Sequence, residues 1–234
     1  MWCRNRQIKS RYSSRLLRSS FIIVLMMLPM SAHGELEFNA AGSTTFGDNR
    51  VNIDIDDTWH WGTTDIGSVD GELQDMGFGL GMMSWPPLLR VLGAGIDFSY
   101  SKVECGNTTM DLLTLNTCLL MRIQFGQNSA FPHGRIVPYV GMGLALHILS
   151  GPVSLVSDDF HEDVFDLGLG FVGKFGLEWI IFSGLAIFIE GRYLSTSSME
   201  QGELPGNLSN FVHTTLVTTN VSVGQLFIGI AVHS

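Results

Sequence analysis

The chain has 234 residues, of which only 15% are charged and 45% are hydrophobic. A disordered chain needs high charge and few apolar residues, so this composition excludes disorder. No apolar run reaches the ~18–20 residues of a membrane-spanning helix. Acidic residues outnumber basic residues by 22 to 13. Phosphate binding requires clustered Lys and Arg, so we predict no nucleic-acid partner.

The first 34 residues have the layout of a secretory signal peptide. Six basic residues and no acidic residue precede the apolar run 21–30, which is followed by Ala32 and Gly34. A basic segment, an apolar stretch of ~7–15 residues and small residues at positions −3 and −1 define such a signal. We therefore predict a signal peptide over 1–34 and a mature domain over 35–234. That domain contains seven basic and all 22 acidic residues, a formal charge of −15. A retained anchor helix is the alternative, but the apolar run is short for one.

The mature chain alternates between apolar and other residues with a period of two, which predicts β-strands with two different faces. Ile96, Phe98 and Tyr100, for example, alternate with Asp97 and Ser99. We predict eight strands, near 35–46, 72–84, 89–103, 113–126, 136–148, 165–181, 185–196 and 212–233. Long polar connections are predicted near 47–71, 104–112, 149–164 and 197–211. An even number of strands with short turns at one end and long loops at the other is typical of a transmembrane β-barrel.

The minority face of these strands carries charged residues of both signs. A soluble lipocalin-like barrel or β-sandwich would have to bury them in its core, whereas the lumen of a membrane barrel can pair and hydrate them. We therefore predict an all-β, eight-stranded, antiparallel up-and-down transmembrane β-barrel. The predicted lumen network comprises Asp97, Arg122, Lys174, Glu178, Glu190 and Arg192. Aromatic residues near the short turns predict an interfacial girdle, namely Trp85, Phe125, Trp179 and Phe182.

Two segments resemble a known family. Residues 137–146 (VPYVGMGLAL) are similar to a glycine-rich strand of small outer-membrane β-barrel proteins. Residues 173–179 (GKFGLEW) and 185–193 (LAIFIEGRY) resemble the hairpin that follows it. The family includes the opacity-type surface proteins and the membrane domain of outer membrane protein A. The resemblance implies an eight-stranded barrel in a Gram-negative outer membrane, assembled by the barrel-assembly machinery. Ser234 departs from the family pattern, because these barrels usually end in an aromatic residue.

The candidate binding residues lie mainly in the predicted loops. Trp59 and Trp61 could form a binding surface or part of an outer girdle. Asp158, Asp159 and His161 belong to an acidic segment that matches no calcium-loop spacing, so we predict no metal and no cofactor. Cys105 and Cys118 would meet oxidising conditions after export, and the sequence leaves open whether they form a disulfide.

These features predict a non-enzymatic outer-membrane protein with a structural role, or with a surface-binding role carried by long acidic extracellular loops. The expected partners are outer-membrane lipid, lipopolysaccharide and an extracellular ligand. An alternative is a lipid A hydrolase that uses His147 and Ser150, since outer-membrane deacylases employ a Ser-His pair on such barrels. Another is a narrow pore through the charged lumen. Eight-stranded barrels are usually filled by their own side chains, which favours a closed interior.

Overall fold

A computed structural model describes residues 35–46, 49–59, 62–87, 90–105, 108–128, 131, 134–154, 161–182, 184–198 and 214–234. The predicted signal peptide lies outside these residues. Within the described part, no helix has the length and apolar character needed to cross a membrane.

The described residues form nine antiparallel strands, all in one sheet. They are β1 (Glu35–Thr45), β2 (Arg50–Trp59), β3 (Gly62–Trp85), β4 (Leu92–Cys105), β5 (Thr108–Arg122), β6 (Ile136–Ser154), β7 (His161–Phe182), β8 (Leu185–Ser198) and β9 (Thr214–His233).

The nine strands occupy eight positions around a closed barrel, because β1 and β2 share one position. β1 pairs with the second half of β3 and of β9, and β2 pairs with the first halves of the same two strands. Gly224 lies opposite the interruption: Phe46 N–H donates to its carbonyl at 3.0 Å, and Asn49 Oδ1 accepts from its N–H at 3.0 Å. Each later strand pairs with the next one, and β3 pairs with β4. The predicted eight-stranded antiparallel barrel is confirmed.

We call the end with the β3–β4, β5–β6 and β7–β8 connections the basal end, and the opposite end the outer end. From the basal end upward, apolar side chains cover the outside of the barrel, and charged side chains point inward. On β7, Phe171, Phe175 and Trp179 are exposed, whereas Lys174 and Glu178 are buried. A surface of this kind cannot face water and fits the hydrocarbon of a bilayer.

Toward the outer end the pattern reverses. On β2, Val51 and Ile53 are fully buried and pack in one apolar cluster with Leu73, Val103 and Leu149. Arg50 on the same strand is exposed. The barrel therefore changes from a lipid-facing to a water-facing arrangement along its axis, because a barrel wall in water must place its apolar residues inside.

This outer extension corrects three predicted loops. The segment 149–164 is mostly strand, since β6 continues to Ser154 and β7 begins at His161. The segment 47–71 is mostly strand, since β2 spans Arg50–Trp59 and β3 begins at Gly62. The segment 104–112 is also mostly strand, because only residues 106–107 separate β4 from β5. The girdle prediction needs one correction as well. Phe125, Trp179 and Phe182 are exposed near the basal end, but the Trp85 side chain is buried inside the barrel.

Candidate functional site

Four charged side chains from three strands meet in the middle of the barrel, and we call them the central network. Lys174 Nζ lies 3.0 Å from Asp97 Oδ2 and 3.7 Å from a Glu190 oxygen. Arg192 Nη1 lies 2.5 Å from Asp97 Oδ1, and Arg192 Nε donates to Glu190. All four are at most 4% exposed. Two acids balance two bases, so the network has no formal net charge.

Neutral groups complete the central network. Tyr139 donates its hydroxyl hydrogen to Glu190 at 2.7 Å, and Asn116 Nδ2 donates to Asp97 at 2.8 Å. The Tyr139 ring lies over Gly176, where an added Cβ would be 2.3 Å from a ring carbon. Glycine at this position therefore allows the ring to lie flat against the wall. The Arg192 guanidinium carbon lies 4.0 Å from the centre of the Phe227 ring, a cation–π contact.

Arg122 and Glu178 belong to a second group at the basal end, which we call the basal cluster. Its members are Glu35, Glu37, Arg122, Glu178 and His233. Arg122 Nη2 lies 2.5 Å from Glu35 Oε2. His233 Nδ1 lies 2.8 Å from the other Glu35 oxygen, and its Nε2 contacts Glu178. The predicted six-residue network is thus divided between two levels of the lumen.

Glu35, Glu37 and His233 are absent from the lumen network that the sequence predicts. Glu35 and Glu37 alternate with Leu36 and Phe38, and this alternation could have assigned both acids to the inner face. His233 could not have been found this way. Its role depends on β9 closing the barrel against β1, where His233 pairs with Glu37.

A third polar group lies toward the outer end, around His147 on β6. His147 Nδ1 is 2.6 Å from Thr196 Oγ1, and Nε2 is 3.5 Å from Asp166 Oδ2. Ser198 donates to the same Asp166 oxygen at 2.6 Å. His147 has no exposed surface. Ser150 lies three residues further along β6 and therefore on the opposite face, so the predicted Ser-His pair is not assembled.

The two cysteines are both free and buried, so they do not form a disulfide with each other. Cys105 pairs with Thr108 across β4 and β5, and Cys118 lies ten residues further along β5. At a rise of ~3.3 Å per residue the two are about 33 Å apart. A disulfide requires Cα atoms within about 7 Å.

The predicted loop-binding residues are only partly within the described structure. Trp59 ends β2 and pairs with Gly62, and His161 begins β7 opposite Ser154. Trp61, Asp158 and Asp159 lie outside the described residues. Their contribution to binding stays a prediction.

Comparison with protein-family models and with curated proteins finds no match. Among solved structures, the outer membrane protein OprG from Pseudomonas aeruginosa aligns with a TM-score of 0.53 and 15% identity, over 86% of this chain and 96% of that one. Neisserial surface protein A aligns with a TM-score of 0.44, also at 15% identity, over 86% of this chain and 99% of that one. Ail of Yersinia pestis aligns with a TM-score of 0.44 and 11% identity, over 86% of this chain and 99% of that one. The OprG alignment and the strand pairing agree, and the chain has the fold of the small eight-stranded outer-membrane β-barrel proteins.

Proposed function

We propose that this protein is a non-enzymatic β-barrel of a Gram-negative outer membrane, with a structural or surface-binding role. The observation that supports this most directly is the inverted distribution of side chains. Phe171, Leu119 and Met142 are each more than 70% exposed, whereas Glu190 and Lys174 are buried. A soluble barrel with this distribution would aggregate. A membrane barrel needs it, because its outer wall faces lipid and its closed sheet leaves no unpaired edge.

Fractionation of cells that express the full chain tests this proposal. We expect the protein in the outer membrane, with a gel mobility in SDS that changes on boiling because the closed sheet resists the detergent until it is heated. Recovery of a soluble periplasmic protein without a mobility shift would overturn the proposal.

A groove on the outside of the barrel supports the surface-binding role. Its volume is about 380 Å³, and exposed Leu169 and Phe171 form one side of it. Polar residues from three neighbouring strands, β2, β9 and β8, line the rest of the groove. They form two rows of residues paired across the strands, Arg50–Ser222–Ser195 and Asn52–Asn220–Ser197. Ser195 is ten residues from the basal end of β8. At ~3.3 Å per residue and a tilt near ~40° this is about 25 Å, the height of the apolar band of such barrels.

The groove therefore lies where lipid headgroups begin. One guanidinium, five hydroxyl or amide groups and an adjoining apolar wall suit a phosphorylated glycolipid of the outer leaflet. The retained lipopolysaccharide per purified barrel, measured by mass spectrometry, tests this role. We expect Arg50→Ala to lower the affinity about tenfold, the effect of losing one charge-assisted hydrogen bond. Arg90→Ala, at the basal end, is the control. Equal retention by both variants would contradict glycolipid binding here.

A further inference from the structure

Three members of the basal cluster come together as a set of metal ligands. Glu37, Glu178 and His233 lie on β1, β7 and β9, and their ligand atoms all lie within 4.8 Å of one another. We propose that these three side chains bind one divalent transition-metal cation, with Zn²⁺ as the fitting example. This inference goes beyond the proposed function and does not depend on glycolipid binding.

The imidazole of His233 is already oriented for this task. Its Nδ1 lies 2.8 Å from Glu35, and Glu35 is in turn held by Arg122 at 2.5 Å. Nδ1 donates to Glu35, and Nε2 faces Glu178, to which it donates in the metal-free barrel. A bound cation would displace the Nε2 proton and take the lone pair of that nitrogen. Metal-binding histidines typically use this arrangement, in which a carboxylate fixes the tautomer and the ring orientation.

The charge of the basal cluster provides a second and independent argument. Glu35, Glu37 and Glu178 are each at most 7% exposed. Arg122 pairs with Glu35, and His233 contacts Glu35 and Glu178, so two cationic groups face three carboxylates. A divalent cation that displaces the Nε2 proton of His233 would replace the charge of the imidazolium and also balance the third carboxylate. Glu37 shows the deficit most clearly. Among the described residues, the hydrogen bond that the structure gives its carboxylate comes from a neutral donor, the Trp85 indole N–H, at 3.3 Å. Buried carboxylates generally require a cationic partner or a metal.

The ligand types favour a transition metal. Zn²⁺ commonly takes three protein ligands from His and Glu and completes its tetrahedron with water. Ca²⁺ instead requires six to eight oxygen ligands, and Mg²⁺ prefers an octahedron of oxygens. Ligands ~2.1 Å from a tetrahedral zinc lie about 3.4 Å apart. His233 Nε2 and Glu178, which are now in direct contact, would separate slightly, and the ligand atoms that are up to 4.8 Å apart would approach. His233 retains some exposure, which provides an entry from the basal end.

Calorimetric titration of the refolded full chain with ZnCl₂, after chelator treatment, tests the proposal. We expect one Zn²⁺ per barrel. Glu37→Gln, Glu178→Gln and His233→Gln should each weaken the affinity at least tenfold, since even the second shell of a metal site is worth about 10–100-fold. X-ray absorption of the loaded protein should show one imidazole and zinc–ligand distances of about 2.0–2.1 Å.

His147→Gln is the matched control, because it removes a buried lumen histidine that lies outside the basal cluster. It should leave the affinity unchanged. The heat-dependent gel shift identifies the folded variants, and only these are titrated. A folded wild-type barrel that takes up no Zn²⁺ would overturn the proposal. Unchanged affinity in all folded ligand variants would also overturn it, because the metal would then lie elsewhere, for example at the acidic segment near His161.

Discussion

Lys174 illustrates how a single buried charge depends on its partners. Its ammonium group lies between Asp97 and Glu190, both buried in the central network. Removing one member of a buried ion-pair group leaves an uncompensated charge, which costs about 3–5 kcal/mol. We therefore expect Lys174→Met to lower the free energy of unfolding by about 3–5 kcal/mol, as measured by urea unfolding in lipid vesicles.

Two further variants distinguish charge balance from packing. Lys102→Met removes an exposed lysine on β4, and it should change the stability by less than about 0.5 kcal/mol. Adding Glu190→Gln to Lys174→Met restores neutrality to the remaining pair, Asp97 and Arg192. The double variant should therefore be more stable than Lys174→Met alone. If it is less stable, side-chain contacts matter more than charge balance in this network.

The strand β7 shows the effect of the membrane on a whole element. Phe175 and Phe165 both lie on its outer face and are similarly exposed, at 63% and 65%. Phe175 is seven residues from the basal end of β7, within the apolar band, and Phe165 is 17 residues from it, in the outer extension. We expect Phe175→Arg to lower the free energy of unfolding by about 2–4 kcal/mol and Phe165→Arg by about 0–1 kcal/mol.

The matched pair is measured by urea unfolding in vesicles of one defined lipid. Equal losses for Phe175→Arg and Phe165→Arg would mean that the band extends to the outer end of β7. The boundary between the lipid-facing and the water-facing part of the barrel would then lie beyond Phe165.

The same boundary explains how much of the fold the sequence could predict. Within the bilayer, the strands place most of their apolar residues outward and their charged residues inward. The alternation around Asp97 and Lys174 therefore assigns these charged residues to the inner face. In the outer extension this arrangement reverses. Val51 and Ile53 point inward, and the polar residues that alternate with them, such as Asp54, favour a loop when the sequence is considered alone. A polar segment with a short apolar alternation suits both interpretations until its pairing with β3 and β9 is known.

The candidate site residues were predictable only where the alternation of apolar and charged residues along one strand is enough to place them. The period of two placed six charged residues in the lumen, but it could not divide them between two levels. That division depends on register, which sets Glu190 opposite Gly176 and His233 opposite Glu37. Pairings between residues nearly 200 positions apart leave no local trace in the sequence.

At the scale of the whole molecule, the interior decides between a pore and a closed barrel. The central network connects Asp97 on β4 with Lys174 on β7 and Arg192 on β8, so that ion pairs span the lumen. The basal cluster forms a second buried layer below it, and His147 lies in a third layer above it with no exposed surface. An ion that crosses the barrel would have to displace paired charges in a low-dielectric interior, where their attraction is strong.

We therefore expect purified barrels in planar bilayers to show no stepwise conductance at neutral pH. The heat-dependent gel shift on the same sample shows that the barrel is folded, so that an absence of conductance reflects a closed lumen and not a missing protein. Regular conductance steps from the wild type would contradict the closed interior and favour the narrow-pore alternative. If such steps then changed size in Lys174→Met but not in Lys102→Met, the ions would pass through the central network. A barrel without conductance would favour the proposed role of the outer surface, with its groove at the lipid boundary, over the narrow-pore alternative.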